Sequence, residues 1–282
     1  MEELKATRLL AVVTGASSGI GYNLAKIAAE RGYDLVVAAD TPLAPAVMDF
    51  EALGANVTAV QTDLATAEGV QELITAIGDR QVDALMANAG HGLGGAFLEQ
   101  DFDSILHVIN TNITGTLRLV QYVARRMTHR VKGVGNGHIL ITGSIAGFQP
   151  GSFQAVYNGT KAFIDSFALA LRNELNNTRV TISLLMPGVT DTDFFVRADM
   201  LDTKMNTGHK DDPYEVARIG FEAMLKGEAD VVAGFRNKVE LALSKVLPGY
   251  AVAEMHRRQV EPGTGKSGDA QGFLTAQRST HR

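Results

Sequence analysis

The chain has 282 residues, 45% of them hydrophobic and 20% charged, with a formal net charge of -5 and a pI near 5.8. That length and balance suit one large α/β domain, and an acidic chain whose Lys and Arg are scattered lacks the basic footprint that nucleic acid needs. There is no cysteine and the seven His residues show no paired ligand spacing, so disulfides and thiolate chemistry are excluded and no metal is expected.

From the N-terminus, residues 9–13 read as a short apolar strand that enters T-G-A-S-S-G-I-G at 14–21 and a helix to about residue 31, ended by Gly32. Such a glycine turn lets backbone approach a pyrophosphate, and the helix N-terminus adds free N–H groups and partial positive charge. The spacing is G-x-x-x-G-x-G, not G-x-G-x-x-G, so the turn by itself reads equally as structural. The alternation continues with a strand over 35–39, a helix over 45–53, a strand over 57–61, a helix over 67–77, and a strand over 84–87 before Asn88-Ala89-Gly90. A long helix over 102–130, a strand over 139–142, a helix over 153–176 and a strand over 180–186 follow, the last stopped by Pro187-Gly188. Repeated βαβ units predict a doubly wound, parallel α/β sheet with right-handed crossovers and strand order 3-2-1-4-5-6.

Residues 189–212 lack periodicity yet carry Phe194, Phe195, Met200 and Met205, which predicts a substrate lid with a short helix. A helix over 214–225 and a last strand over 229–233 close the pattern. Residues 1–260 are therefore expected to form one domain, and the Gly-rich polar tail 261–282 to be disordered. No apolar run approaches the roughly 18 residues of a membrane span, and M-E-E-L-K-A-T-R-L-L lacks a signal-peptide core. A cytoplasmic protein without a membrane partner is expected.

Tyr157 and Lys161 are four apart on a predicted helix, so a phenol and an ammonium share one face. An unperturbed tyrosine titrates near 10, and a neighbouring cation favours the phenolate, so the pair reads as a proton carrier with a lowered pKa. Ser144 follows the apolar run 139–142 and falls at a strand's C-terminal edge, where open α/β sheets hold ligands. Its hydroxyl can hold a substrate oxygen. Taken without this context, the pair is a core tyrosine and a surface lysine.

Together these motifs resemble the short-chain dehydrogenase/reductase family. The match spans about residues 9–232: TGASSGIG, N-A-G at 88–90, Asn112 in N-I-T-G, Ser144, Tyr157-x-x-x-Lys161, and P-G-V-T-D-T from Pro187. The resemblance implies a single Rossmann domain with seven parallel strands, and reversible hydride transfer between a nicotinamide and an alcohol or carbonyl. It implies that Asn112, Ser144, Tyr157 and Lys161 are catalytic. Tyr157 would exchange the proton, Ser144 orient the oxygen, Lys161 lower the tyrosine pKa and hold the nicotinamide ribose, and Asn112 support a water relay toward the lysine. It further implies cofactor contacts at Gly15, Gly19, Ile20, Gly21, Asp63, Gly90 and Thr192, besides Tyr157 and Lys161. Ser17 and Asn88 fit either cofactor contacts or braces of turn and sheet, and His91 is either a substrate contact or a solvated loop residue. The wording of the lid is similar to bacterial oxidoreductases of this family without an assigned substrate.

Asp40 ends the second strand, where a carboxylate can accept the adenosine ribose hydroxyls and would repel a 2′-phosphate. NADP binders of the family carry Arg there, or a basic residue before the second glycine of the turn; here Asp40 and Ser18 stand in those places, so NAD is expected, with NADP still open. Two rivals remain at this level. Gly15-Ala16-Ser17-Ser18-Gly19 satisfies the G-x-S-x-G elbow of serine hydrolases, though no downstream His is nominated as its base. A non-catalytic dinucleotide sensor could use the same fold. Phe148, Phe153, Phe194 and Phe195 suggest an apolar alcohol or carbonyl substrate. The helix carrying Tyr157 is apolar on a second side, through Ala162, Phe163, Phe167 and Ala170, which predicts a homodimer or homotetramer packed through this helix and that of 102–130.

Overall fold

The computed structural model describes residues 8–129, 136–244 and 246–265. Seven parallel strands form one sheet: β1 (Leu10–Thr14), β2 (Asp34–Ala39), β3 (Val57–Gln61), β4 (Ala84–Ala87), β5 (Gly137–Thr142), β6 (Val180–Met186) and β7 (Asp230–Val232), in the order 3-2-1-4-5-6-7. The central strands are apolar along their whole length because both faces are covered. Pairing sets Val12 opposite Val36 and Leu85, and Leu85 opposite Ile139. Alternate residues then enter two cores. Ile139 and Ile141 of β5 point into one, Leu140 into the other.

The helices up to the site are α1 (Gly19–Glu30), α2 (Ala44–Ala52), α3 (Ala67–Ile77), α4 (Phe102–Ile109), α5 (Thr116–Thr128) and α6 (Ala155–Glu174). Beyond it come α7 (Phe194–Arg197), α8 (Pro213–Lys226), α9 (Phe235–Ser244) and α10 (Gly249–Val260). Helices α3, α5 and α6 cover the Ile139 side of the sheet, through Leu73, Val120, Val123 and Ile164. Helices α1, α2 and α8 cover the Leu140 side, where Leu24, Phe50 and Phe221 are fully buried. Each such side chain contributes about 1.5–3 kcal/mol relative to exposure.

The expected helix over 102–130 is broken. A π-helical turn, Asn110–Gly115, separates α4 from α5. Here Gly115 approaches the next layer so closely that a Cβ would lie 2.2 Å from the Leu64 carbonyl oxygen. A 3.6-residue reading passes over such a turn because apolar positions continue on both sides of it. The helix expected from 153 begins at Ala155 instead, because Phe153 has φ 60° and lies outside the helical region.

Residues 189–212 form a loop whose ends are pinned by a parallel bridge between Thr190 and Asp211. Asp191 N donates to Asp211 O and Asp211 N to Val189 O. Phe195 of its short helix α7, with Ala198 and Met200 just beyond that helix, packs against Val260 of α10. Helices α9 and α10 occupy a stretch that the sequence reading leaves unassigned. Of the expected tail, residues 261–265 are described and lie against the loop, with Gly265 N donating to Asp202 O at 2.7 Å and Gly263 N to Asp202 Oδ2 at 2.8 Å; residues 266–282 lie outside the described residues.

Candidate active site

The C-terminal edges of β1, β2, β4, β5 and β6 open onto one cleft. The glycine turn forms one wall. Gly15 and Gly19 have φ 68° and 59°, and a Cβ on Gly21 would stand 2.1 Å from Gly15 O. Only residues without a side chain let the chain double back here. Ser18, the N-cap of α1, makes no side-chain cap bond, so the first-turn N–H groups of α1 remain available to an anion. Ile20, Asp40 and Asp63 continue this wall. Asp63 also accepts from Ala65 N at 2.8 Å.

Ser17 and Asn88 are held by the scaffold. Thr41 donates to Ser17 Oγ at 2.7 Å. Asn88 Nδ2 donates to Thr14 O at 3.2 Å, and its Oδ1 accepts from Thr142 Oγ1 at 3.1 Å, so the amide bridges β1 and β5 across the end of β4. Both residues still line the cleft.

The opposite wall carries the residues expected to do chemistry. Ser144 follows β5 and caps a short 3-10 turn, Ile145–Phe148: its Oγ accepts from Ala146 N at 3.1 Å and donates to Pro187 O at 3.4 Å. Tyr157 projects from the first turn of α6, and its ring meets Phe194 of α7 at a 5.1 Å centroid distance. Lys161, one turn on, is buried; its Nζ donates to Thr142 O at 2.9 Å and lies 5.9 Å from the Tyr157 ring centroid. Gly90 faces them, with a hypothetical Cβ 3.3 Å from Asn112 Oδ1 and 3.5 Å from Lys161 Nζ.

Asn112 sits behind the wall, in the π turn. Its Oδ1 accepts from His91 N at 2.8 Å, and its Nδ2 donates to His91 O at 2.9 Å and to Thr160 Oγ1 at 2.9 Å. The amide thus clamps the backbone just past the N-A-G turn to α6. Thr192 packs on the glycine turn, its Cγ2 2.8 Å from where a Gly19 Cβ would be.

The expected lowering of the Tyr157 pKa is not what the structure holds. Burial pushes the phenol up to about 12; hydrogen bonding with Ser144 pulls it down, and the Asp165 charge pushes it up again. Lys161 is itself pushed down by burial, with Asp165 opposing, and its ammonium is engaged by the Thr142 carbonyl. Desolvation, with the Asp165 charge behind it, outweighs the pull of Ser144.

Asp165 was not legible as a site residue. It lies one turn beyond Lys161 on α6, is only 3% exposed, and accepts from Ser144 N at 3.3 Å through Oδ1. Its Oδ2 has no hydrogen-bond partner among the described residues. A Cβ on Gly143 would lie 1.8 Å from Oδ1 and one on Gly147 2.2 Å from Oδ2, so glycines on both sides of Ser144 make room for this carboxyl. Burial pushes it up, against the pull of Lys161 and of the Ser144 N–H. The i, i+4 spacing from Lys161 and the flanking glycines were the available signals. Arg197 of α7, Glu240 of α9 and His256 of α10 also line the cleft, and nothing local in their sequence marks them.

His91 is not a solvated loop residue: its Nε2 stands 3.1 Å from Asp40 Oδ2 and its ring 4.7 Å from that of His107. In the hydrolase elbow Ser17 Oγ is held by the Thr41 hydroxyl rather than by a histidine among the described residues. Among the described residues no helix is long and apolar enough to cross a membrane.

A family model described as short chain dehydrogenase matches residues 9–200. An uncharacterized oxidoreductase of Myxococcus xanthus is 29% identical over 247 residues, 84% of this chain and 92% of that one. A short chain dehydrogenase/reductase from Burkholderia phymatum, solved in complex with NAD, superposes with a TM-score of 0.77 at 26% identity, over 90% of this chain and 97% of that one. A short-chain dehydrogenase from Sphingobium yanoikuyae in complex with NADPH gives a TM-score of 0.73 at 27% identity, over 85% and 96%.

Proposed function

Because the chain belongs to the short chain dehydrogenase family and is an NAD(P)-dependent oxidoreductase acting on CH–OH and C=O groups, we propose that Tyr157 is its acid–base, serving an apolar alcohol or carbonyl substrate. The observation that carries this reading is the convergence of Tyr157, Ser144 and Lys161 at the end of β5, facing Gly90 across the cleft. In alcohol oxidation the Tyr157 phenolate takes the hydroxyl proton; in reduction the phenol returns it to the oxygen formed from the carbonyl. Ser144, fixed by its bonds to Ala146 N and Pro187 O, orients that oxygen. Lys161 supplies positive charge below the phenol, and Asn112 holds the floor of the site through the His91 backbone. The bound nicotinamide supplies or accepts the hydride.

The side-chain-free turn at Gly15, Gly19 and Gly21 suits a pyrophosphate, and Gly90 and Thr192 suit the nicotinamide half. Ile20 and Asp63 border the adenine side, and Asp40 suits the ribose. On that account NAD is preferred, at least tenfold over NADP, equivalent to about 1.4 kcal/mol. The Phe194 ring on Tyr157 and the paired Phe195 support an apolar substrate. Residues 189–212 act as its lid. A sensor that only binds the dinucleotide would not need the Tyr157–Ser144–Lys161 convergence.

The test is a screen of alcohols and ketones followed by the absorbance of reduced nicotinamide, run on the wild type and on Tyr157→Phe. Turnover by the wild type that vanishes in the variant is expected; undiminished turnover by Tyr157→Phe overturns the assignment.

A further inference from the structure

Arg197 lies on α7 within the 189–212 loop, yet its guanidinium crosses the cleft to the Asp40 carboxylate at the end of β2. His91, just past the N-A-G turn, reaches the same oxygen, with Nε2 3.1 Å from Oδ2, and also touches Arg197. The three side chains come from distant parts of the chain and meet in the wall of the cofactor cleft. Their side chains are 29% (Asp40), 32% (Arg197) and 16% (His91) exposed, so solvent reaches the pairing and keeps it breakable. The hydrogen bond to His91 and the charge of Arg197 hold the Asp40 carboxyl well below the usual carboxylate range. It is ionised, and its charge is matched within the protein.

A free carboxylate at this place accepts ribose hydroxyls and repels a 2′-phosphate. A carboxylate already holding a guanidinium does both less well, and the guanidinium is itself a fork-shaped donor suited to a phosphate. We propose that Arg197 sets cofactor selectivity from the lid: by pairing with Asp40 it weakens the discrimination against NADP that Asp40 alone would impose, and it must release Asp40 before NAD can use that carboxylate. The proposal rests on the reading above that Asp40 faces the adenosine ribose.

Calorimetric dissociation constants of NAD and NADP, measured without substrate on the full chain, test it. Arg197→Gln is expected to bind NAD about threefold tighter, by relief of the ion pair, and NADP about tenfold weaker, by loss of the phosphate donor. Asp40→Asn is expected to narrow the NAD preference, and in that background Arg197→Gln no longer tightens NAD. Arg197→Lys keeps the charge but loses the fork, so its selectivity is expected to fall between wild type and Arg197→Gln; a ratio that moves equally in the Lys and Gln variants overturns the argument from charge. If Arg197→Gln leaves both constants unchanged while Asp40→Asn narrows the gap, the role of Arg197 is refuted and that of Asp40 stands. If Asp40→Asn leaves the ratio unchanged, the Asp40 reading itself fails, and the role of Arg197 with it.

Discussion

Gly143→Ala isolates the packing around Ser144, because Gly143 has no positive φ and the cost of a methyl there is steric. The new Cβ would lie 1.8 Å from Asp165 Oδ1, 2.8 Å from Leu184 Cδ1 and 3.0 Å from Asp165 Cγ. Asp165 is 3% exposed and cannot retreat into solvent. Overpacking of this kind costs about 1–3 kcal/mol. Moving the carboxyl also breaks the bond it accepts from Ser144 N, and a hydrogen bond to a charged group is worth about 1.5–3 kcal/mol. The expected destabilisation is therefore about 2.5–6 kcal/mol. Of the three nearest atoms, an Asp165→Ala background leaves Leu184 Cδ1, the end of a flexible side chain, against the methyl, and the cost should fall to about 1 kcal/mol. Urea unfolding of the four proteins of this cycle, followed by far-ultraviolet circular dichroism, measures the coupling directly. Additivity within about 0.5 kcal/mol would show that the carboxyl does not fill the space beside Ser144.

The remaining predictions concern the reaction and the assembly. Tyr157→Phe should lower kcat by about a thousandfold or more while changing the dissociation constant of NAD by less than about twofold by calorimetry, whereas Lys161→Met should damage both. Under the proposed role Tyr157 acts as the phenolate, and burial pushes the phenol up to about 12, so kcat/KM for alcohol oxidation should climb across the alkaline range without a plateau near neutrality; a flat profile above neutrality contradicts Tyr157 as base. The ionised Asp165 disfavours that phenolate, so Asp165→Asn should lower the tyrosine pKa and move the profile to lower pH. On α6, Phe163 is 44% exposed and stacks on Phe167, and Leu169 is 39% exposed. Sedimentation at micromolar concentration should show a dimer or tetramer that Phe163→Glu dissociates, and a monomeric wild type would end the proposal.

Local periodicity alone determined most of the sheet. Buried parallel strands are apolar along their length, so β1, β5 and β6 announce themselves by short runs closed with glycine or proline, while the partly exposed β3 is placed by the βαβ alternation around it. Tyr157 and Lys161 were legible for a similar reason: spacing on one helix places both on one face. What spacing could not carry was the balance of forces once those side chains were buried. A cation near a phenol suggests a lowered pKa, but desolvation of Tyr157 and the hidden carboxylate of Asp165 act the other way, and both depend on what packs from β5 and α6 together. The π turn that carries Asn112 was likewise invisible, because one extra residue per turn leaves the apolar pattern on either side intact. Asp40 shows the division most plainly. Its place at the end of β2 followed from the sequence, while its partners, His91 and Arg197, come from 51 and 157 residues away, and only the folding of the loop back across the sheet edge decided that its charge would be met.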